Sequence, residues 1–364
     1  MADRIPRALD GFVARSKPGR AAIIYGARQT GKTNLVEHAL SDSSARILRA
    51  TGDDLRVRNL LQGQVRDDIL GWAAGYEIVF LDEAQRVPEV GWALKMLVDA
   101  RPELLVIATG SASFTLAGQV GEPLTGRHTP LALYPVAVGE LSDQFNDYEL
   151  KSLVQDFLVY GMYPEVRTAC DARTKREVLR ELTASYLLKD VLELEQIKSS
   201  QKLEDLLMLV ALQTGNLVSV NELARSLGLD AKTVARYLDL LQKSYVLHNL
   251  RGFSRNLRAE VTKTSKWYFC DVGVRNAIIN NFNHLAARAD VGALWENFMV
   301  MERIKALTYA GRSGPSYFWR SWERQEVDLV EDRDGRLHAY EFKFNPRARA
   351  KIPSQFAAAY PDAE

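Results

Sequence analysis

The stretch Gly26-Ala27-Arg28-Gln29-Thr30-Gly31-Lys32-Thr33 follows an apolar run, Ala21 to Tyr25, and precedes a helical pattern carrying Leu35, Val36, Ala39 and Leu40. Strand, glycine-containing loop and helix in that order are the context in which GxxxxGK[ST] acts as a phosphate-binding loop. Its glycines let backbone N–H groups curl around phosphate oxygens, and the helix N-terminus adds a partial positive charge. In this reading Gly26, Arg28, Gln29, Thr30 and Gly31 wrap the phosphates of ATP. Lys32 reaches the β- and γ-phosphates, and the Thr33 hydroxyl ligates Mg²⁺.

Two further apolar runs follow at the spacing such a domain requires. Ile78 to Leu81 ends in Asp82-Glu83, where Asp82 is placed to hold the Mg²⁺ and Glu83 to orient or deprotonate the attacking water. Leu104 to Ala108 ends in Thr109-Gly110-Ser111, and Ser111, or else Thr109, is placed to touch the γ-phosphate or that water. All three runs end in polar residues, as strands of a parallel sheet do where they present their C-terminal edges to a ligand. Beyond them, Arg127 closes a loop-like stretch with Gly121 and Pro123. An arginine there can stabilise transition-state charge at a neighbouring subunit's triphosphate.

At 364 residues the chain exceeds one ordinary core, and the expected division is 1–140, 141–200, 201–285 and 286–364. Hydrophobic content of 47% with 26% charged residues is that of a globular protein, and no apolar run approaches a bilayer span. The basic N-terminus lacks the continuous apolar stretch of a signal peptide, so the expected location is the cytoplasm. Cys170 and Cys270 have no CxxC or CxxH partner, which points to neither a disulfide framework nor a zinc site. The net charge of +1 conceals a basic segment, Lys232, Arg236, Lys243, Arg251, Arg255, Arg258, Lys263, Lys266 and Arg275, that suits an anionic partner such as nucleic acid.

From about Asp143 to Ser200 apolar residues recur at helical spacing, interrupted by a turn with Gly161 and Pro164. A helical lid is expected there. Val218 to Leu241 reads as two short helices separated by a turn with Gly228, the second opened by the capping Asp230. Strand-like YVLHNL and KWYFC then complete a winged helix. Lys232, Thr233, Arg236 and Tyr237 are expected on the exposed face of its second helix, where they can meet phosphates or base edges.

In the last quarter Glu296 sits among Leu294, Trp295, Phe298 and Val300 on a helical pattern, a costly place for an acid without compensation. Glu326 to Val330 and Leu337 to Phe344 flank Asp334-Gly335, a hairpin signal. Alternation puts Glu341 and Lys343 on one side of the second strand, with Asp328 across the hairpin. Asp328, Glu341 and the Phe342 carbonyl offer hard oxygens to Mg²⁺, and Lys343 can position a bound water or stabilise developing charge at a phosphodiester. The residues alone equally fit a charged, solvated face of an amphipathic hairpin.

GARQTGKT, IVFLDEAQ, ATGSAS, LTGR and YGMYPE together resemble a widespread group of bacterial and archaeal AAA-superfamily P-loop ATPases. The resemblance implies Lys32, Thr33, Asp82, Glu83, Ser111 and Arg127 in the roles above, with Arg127 as an arginine finger in a homo-oligomer. Ala27 stands where the group often has proline, and the following helices offer no second sensor arginine. The order Glu296, Asp328, Glu341-x-Lys343 is similar to the PD-(D/E)xK restriction-endonuclease-like arrangement, with Val327 at the proline position. That likeness implies a metal site at Glu296, Asp328 and Glu341 for Mg²⁺ or Mn²⁺, with Lys343 catalytic. The expected fold is therefore an α/β P-loop AAA-type ATPase core with helical lid, winged helix-turn-helix, and α/β restriction-endonuclease-like C-terminal domain. The chain stops soon after Phe356, so a terminal helix or strand of that last domain is expected to be missing. The expected action is on nucleic acid, DNA first. The alternative is a nucleotide-dependent regulatory switch whose C-terminal domains bind partners and cut nothing.

Overall fold

The computed structural model describes residues 4–111, 123–186, 200–254, 265–312 and 314–364. The chain divides into two compact units: residues 1–136 with 189–197 and 243–245, and residues 137–188, 198–242 and 246–364.

In the first unit, three apolar runs too short for helices form the central parallel strands, and two more-polar segments form the edges. These are β1 (Ala21–Gly26), β2 (Ile47–Thr51), β3 (Ile78–Asp82), β4 (Leu105–Ser111) and β5 (His128–Ala132), in the spatial order β2-β3-β4-β1-β5. Among the described residues, four helices of seven or more residues lie between them: α1 (Lys32–Leu40), α2 (Leu55–Gln62), α3 (Arg66–Trp72) and α4 (Val90–Ala100). Leu94, Leu97 and Val98 of α4 bury completely or nearly so against Ile23, Val79, Leu81 and Val106 of the sheet. Each such side chain contributes ~1.5–3 kcal/mol by leaving water. Because β4 lies between β1 and β3, the ends of all three strands converge. Gly26 pairs in register with Ser111, and Leu81 with Ala108.

The second unit begins with helices α5 (Asp147–Tyr160), α6 (Pro164–Thr168) and α7 (Ala172–Glu181). Asn146 caps α5 by accepting from the N–H groups of Tyr148 and Glu149, while Glu149 accepts from the Asn146 N–H, a reciprocal capping box. The helices α8 (Ser200–Leu212), α9 (Val220–Leu227), α10 (Ala231–Lys243), α11 (Val272–Ile278) and α12 (Val291–Tyr309) follow. The YGMYPE stretch locks α5 to α11. The Met162 N–H donates to Asp271 Oδ2 at 2.6 Å, and Asn276 Nδ2 donates to the carbonyls of Leu158 and Val159. Gly161, at φ +75°, and Gly273 meet so closely that a Cβ on either would collide with the facing backbone or Asp271. The helices of the expected lid thus group with the later part of the chain.

Six strands make one sheet in this unit, in the order β11-β10-β9-β7-β8-β6. They are β6 (Leu217–Val218), β7 (Leu247–Gly252), β8 (Ser265–Phe269), β9 (Ser316–Arg320), β10 (Glu326–Arg333) and β11 (Arg336–Tyr340). The β7–β9 pairing is parallel and joins the strands before residue 285 to those after it in one ladder. The hairpin turn falls on Asp334-Gly335, both at positive φ (+52° and +79°), as a tight hairpin demands. The second hairpin strand ends at Tyr340, not at Phe344, so Glu341 and Lys343 lie beyond the ladder. After it, helix α13 (Ser354–Ala359) buries Phe356 against Trp319, Val327 and Val330. Among the described residues no helix is long and apolar enough to cross a membrane.

Candidate functional site

The phosphate loop departs from β1 at Gly26, where a Cβ would collide with the Leu133 carbonyl, so only glycine fits. Gln29 and Gly31 both take positive φ (+60° and +90°), which turns the loop sharply, and Gly31 then opens α1. Lys32 is buried, its Nζ donating to the carbonyls of Ala27 (2.8 Å) and Gly26 (3.2 Å) at the mouth of the loop. Thr33, on the exposed side of α1, donates its hydroxyl to both carboxylate oxygens of Asp82, 3.0 and 3.1 Å away. Two oxygens of the types that share a Mg²⁺ therefore already face each other, and with the cradle at Gly26 the residues fit Mg²⁺ and ATP.

Around this pair the structure adds further partners, and it gives Thr109, named in the sequence as the alternative to Ser111, a place beside Asp82. The Thr109 hydroxyl donates to Asp82 Oδ1 and accepts from the Glu83 N–H, so Thr109 serves Asp82. Gln85 donates to the Glu83 carboxylate and accepts from the Ser111 N–H at 3.2 Å, linking the Glu83 side chain to the Ser111 backbone. Arg7, 8% exposed, donates to the carbonyls of Thr30 (2.7 Å) and Tyr134 (2.6 Å), bracing the loop from behind. Its only sequence signal is one arginine among five basic residues near the N-terminus. Arg28 is half-buried in the loop. Arg127 ion-pairs with Asp99 of its own chain, both side chains about two-fifths exposed. Gly121, named with the Arg127 loop, lies outside the described residues.

A second cluster lies in the second unit. Carboxylate oxygens of Glu296 on α12 and of Glu326 and Asp328 on β10 come within 4.8 Å of one another. Strand alternation puts Glu326 and Asp328 on the same side of β10. Glu326 thus stands in the trio for which the sequence reading named Glu341. The Glu341 carboxylate is close enough to raise the Asp328 pKa, but it pairs with Lys343, and its Oε2 is buried without a hydrogen bond among the described residues. Lys343 is 42% exposed rather than drawn inside.

The cluster's charge is balanced from β8. Lys266, 1% exposed, donates to Glu296 Oε1 at 2.8 Å and ion-pairs with Glu326, while the Tyr268 hydroxyl donates to the same Glu296 oxygen at 2.6 Å. Burial opposes the charge of Lys266, but the two carboxylates outweigh it and raise its pKa. Burial first, then the Glu296 charge, push the Asp328 carboxyl up to about 7.

This overturns part of the basic surface expected from composition. Lys266 is engaged inside the cluster, and Arg275 is buried against Asp290 and the Ala211 carbonyl. Neither faces solvent; each is buried against a partly exposed acid. On α10, Lys232 and Arg236 are exposed and Thr233 half-buried, but Tyr237 is 6% exposed and packs inward. Arg255, Arg258 and Lys263 lie outside the described residues.

Residues 18–142 match a family model described as an AAA domain, and 151–285 and 291–364 each match a domain of unknown function. An uncharacterised protein of Mycobacterium tuberculosis is 27% identical over 325 residues, covering 88% of this chain and 69% of that one. One from Methanocaldococcus jannaschii is 22% identical over 78% of this chain and 66% of that protein. Among solved structures, a Walker-type ATPase of Pyrococcus abyssi superposes with a TM-score of 0.49 at 14% identity, covering 77% of this chain and 96% of that one. The RuvB Holliday junction branch migration motor of Thermotoga maritima superposes with a TM-score of 0.30 at 20% identity, covering 66% and 85%. Family match and loop geometry agree on one part of the chain: its N-terminal segment is a P-loop ATPase domain of the AAA type.

Proposed function

We propose that the chain hydrolyses ATP with Mg²⁺ at the Lys32, Thr33 and Asp82 site, and that nucleotide-driven motion of this core presents nucleic acid, DNA first, to a metal-dependent nuclease-like centre in the second unit. Glu83 activates the attacking water, and Ser111, held to Glu83 through Gln85, faces the γ-phosphate. Helices α9 and α10 followed by antiparallel β7 and β8 support a winged-helix reading, with exposed Lys232 and Arg236 meeting the phosphate backbone. The observation that carries the nuclease-like reading is the convergence of Glu296, Glu326 and Asp328 oxygens within 4.8 Å. Mg²⁺ or Mn²⁺ held there supplies a Lewis acid and an activated water, and Lys343 with Glu341 stands at the rim to stabilise phosphate charge.

A second reading has its own support, namely the Lys266 ammonium already paired with Glu296 and Glu326. In that reading the cluster is a structural ion network, and the chain is an ATP-dependent switch whose second unit binds partners without cutting. The test is cleavage of single-stranded, duplex and branched DNA with Mg²⁺ or Mn²⁺ by wild type, Asp328→Ala and Lys343→Ala. Cutting lost in both variants supports the nuclease; no cutting of any substrate by wild type leaves the switch.

A further inference from the structure

Strands β7 and β8 carry different chemistry on their two faces. Lys266 and Tyr268 turn toward the carboxylate cluster, whereas Asn249, opposite Trp267, and Arg251, opposite Ser265, line a cavity of about 480 Å³. Helix α10 supplies the facing wall with Leu238, Asp239 and Gln242. The volume lies within the ~300–1,000 Å³ usual for small-ligand sites. Neither the P-loop nor the carboxylate cluster contributes a residue to this cavity.

Its lining is selective. Trp267, 5% exposed, offers aromatic surface. Asn249 Oδ1 is buried and accepts no hydrogen bond among the described residues. A buried acceptor left unmatched is costly, so a ligand that donates to it gains more than an ordinary hydrogen bond. Gln242 adds a second amide, and Arg251, exposed at the rim, makes no ion pair among the described residues. A planar ring, a hydrogen-bonding edge with a donor, and an anion on one small unit describe a nucleotide.

We propose that this cavity binds one nucleotide unit. The base lies against Trp267, its exocyclic amine donates to Asn249 Oδ1, and the phosphate meets Arg251. Asp239 accepts from the sugar hydroxyls. Adenine, guanine and cytosine carry the required amine; uracil and thymine do not. The same unit can come from a free nucleoside monophosphate or from an unpaired stretch of nucleic acid.

The full chain carrying Lys32→Ala, which disables the P-loop, is titrated calorimetrically with AMP, GMP, CMP and UMP, and by anisotropy with a labelled oligo(dA) single strand and its duplex. The expected result is saturable binding of an amine-bearing monophosphate or of the single strand, with UMP weaker by about tenfold or more. Arg251→Glu, at an exposed position that leaves folding intact, and Asn249→Leu each weaken that binding by about tenfold or more. Tighter binding of the strand assigns the source as nucleic acid, and tighter binding of the monophosphate assigns it as free nucleotide; either supports the cavity. The proposal is overturned if neither probe binds saturably, if UMP binds as well as the others, or if binding survives both substitutions.

Discussion

Lys266 Nζ sits 2.8 Å from Glu296 Oε1, with the lysine side chain 1% exposed. An ammonium so placed neutralises acids that would otherwise repel one another in a poorly solvated site. Lys266→Met should therefore lower stability by about 3 kcal/mol, as breaking a buried pair does. Denaturant unfolding measures this, and Mn²⁺ added to the variant should restore part of the loss by taking the ammonium's place. An unchanged midpoint would show the cluster to be well solvated.

At the nucleotide site, Lys32→Ala should abolish ATP turnover, and Glu83→Gln should keep ATP bound while lowering kcat by ~10²–10⁴-fold, the usual worth of a general base. Phosphate release and filter retention of labelled ATP read the two effects separately. Robust hydrolysis by the Lys32 variant would sink the assignment.

Arg127 pairs with Asp99 at the surface, an interaction worth only ~0.2–1 kcal/mol and so readily exchanged for a triphosphate. Arg127→Ala should lose turnover and keep ATP affinity, whereas Asp99→Ala should keep both. Turnover per chain should rise with protein concentration, and mixing Arg127→Ala with Lys32→Ala should recover activity. Concentration-independent turnover without recovery would confine Arg127 to its own chain.

Asp290 joins two buried arginines. Its hydrogen bond from Arg288, with a further one from Arg275, holds its carboxyl well below the ordinary range against the opposing effect of burial. The unfolded chain therefore takes up this proton first, near the usual value of about 3.9. The stabilisation is complete above that pH and is lost as pH falls below it. Asp290→Asn should lower stability at neutral pH and flatten the acid limb of the stability curve below about pH 4. Urea midpoints across the acid range check both.

Cys170 is exposed, whereas Cys270 is buried, and burial pushes its thiol up to about 12. Since the thiolate is the reactive form, a disulfide reagent should modify Cys170 quickly in the native protein and Cys270 only on unfolding. Cys170→Ser should remove the fast phase, and a fast phase that persists would show Cys270 to be accessible.

The parts of this protein legible in the sequence are those whose chemistry acts between neighbours along the chain. Eight consecutive residues from Gly26 to Thr33 carry the loop's backbone turns and its phosphate-binding groups, and Asp334-Gly335 carries both positive φ values of its hairpin. Apolar runs ending in Asp82 and Ser111 announced strands with ligand-facing ends. Tertiary structure alone decided which charge meets which. Lys266 and Arg275 look in the sequence like surface bases beside Lys232, yet β8 and α11 carry them inside to Glu296 and Asp290, because a side chain's charge says nothing of its depth. Glu326 entered the carboxylate trio by sharing a face with Asp328 against α12, while Arg7 reached the nucleotide site from the irregular segment before β1 and Gln85 from the short helical turn after β3. Such pairings depend on strand order and register across the sheet, which short-range backbone preferences leave open.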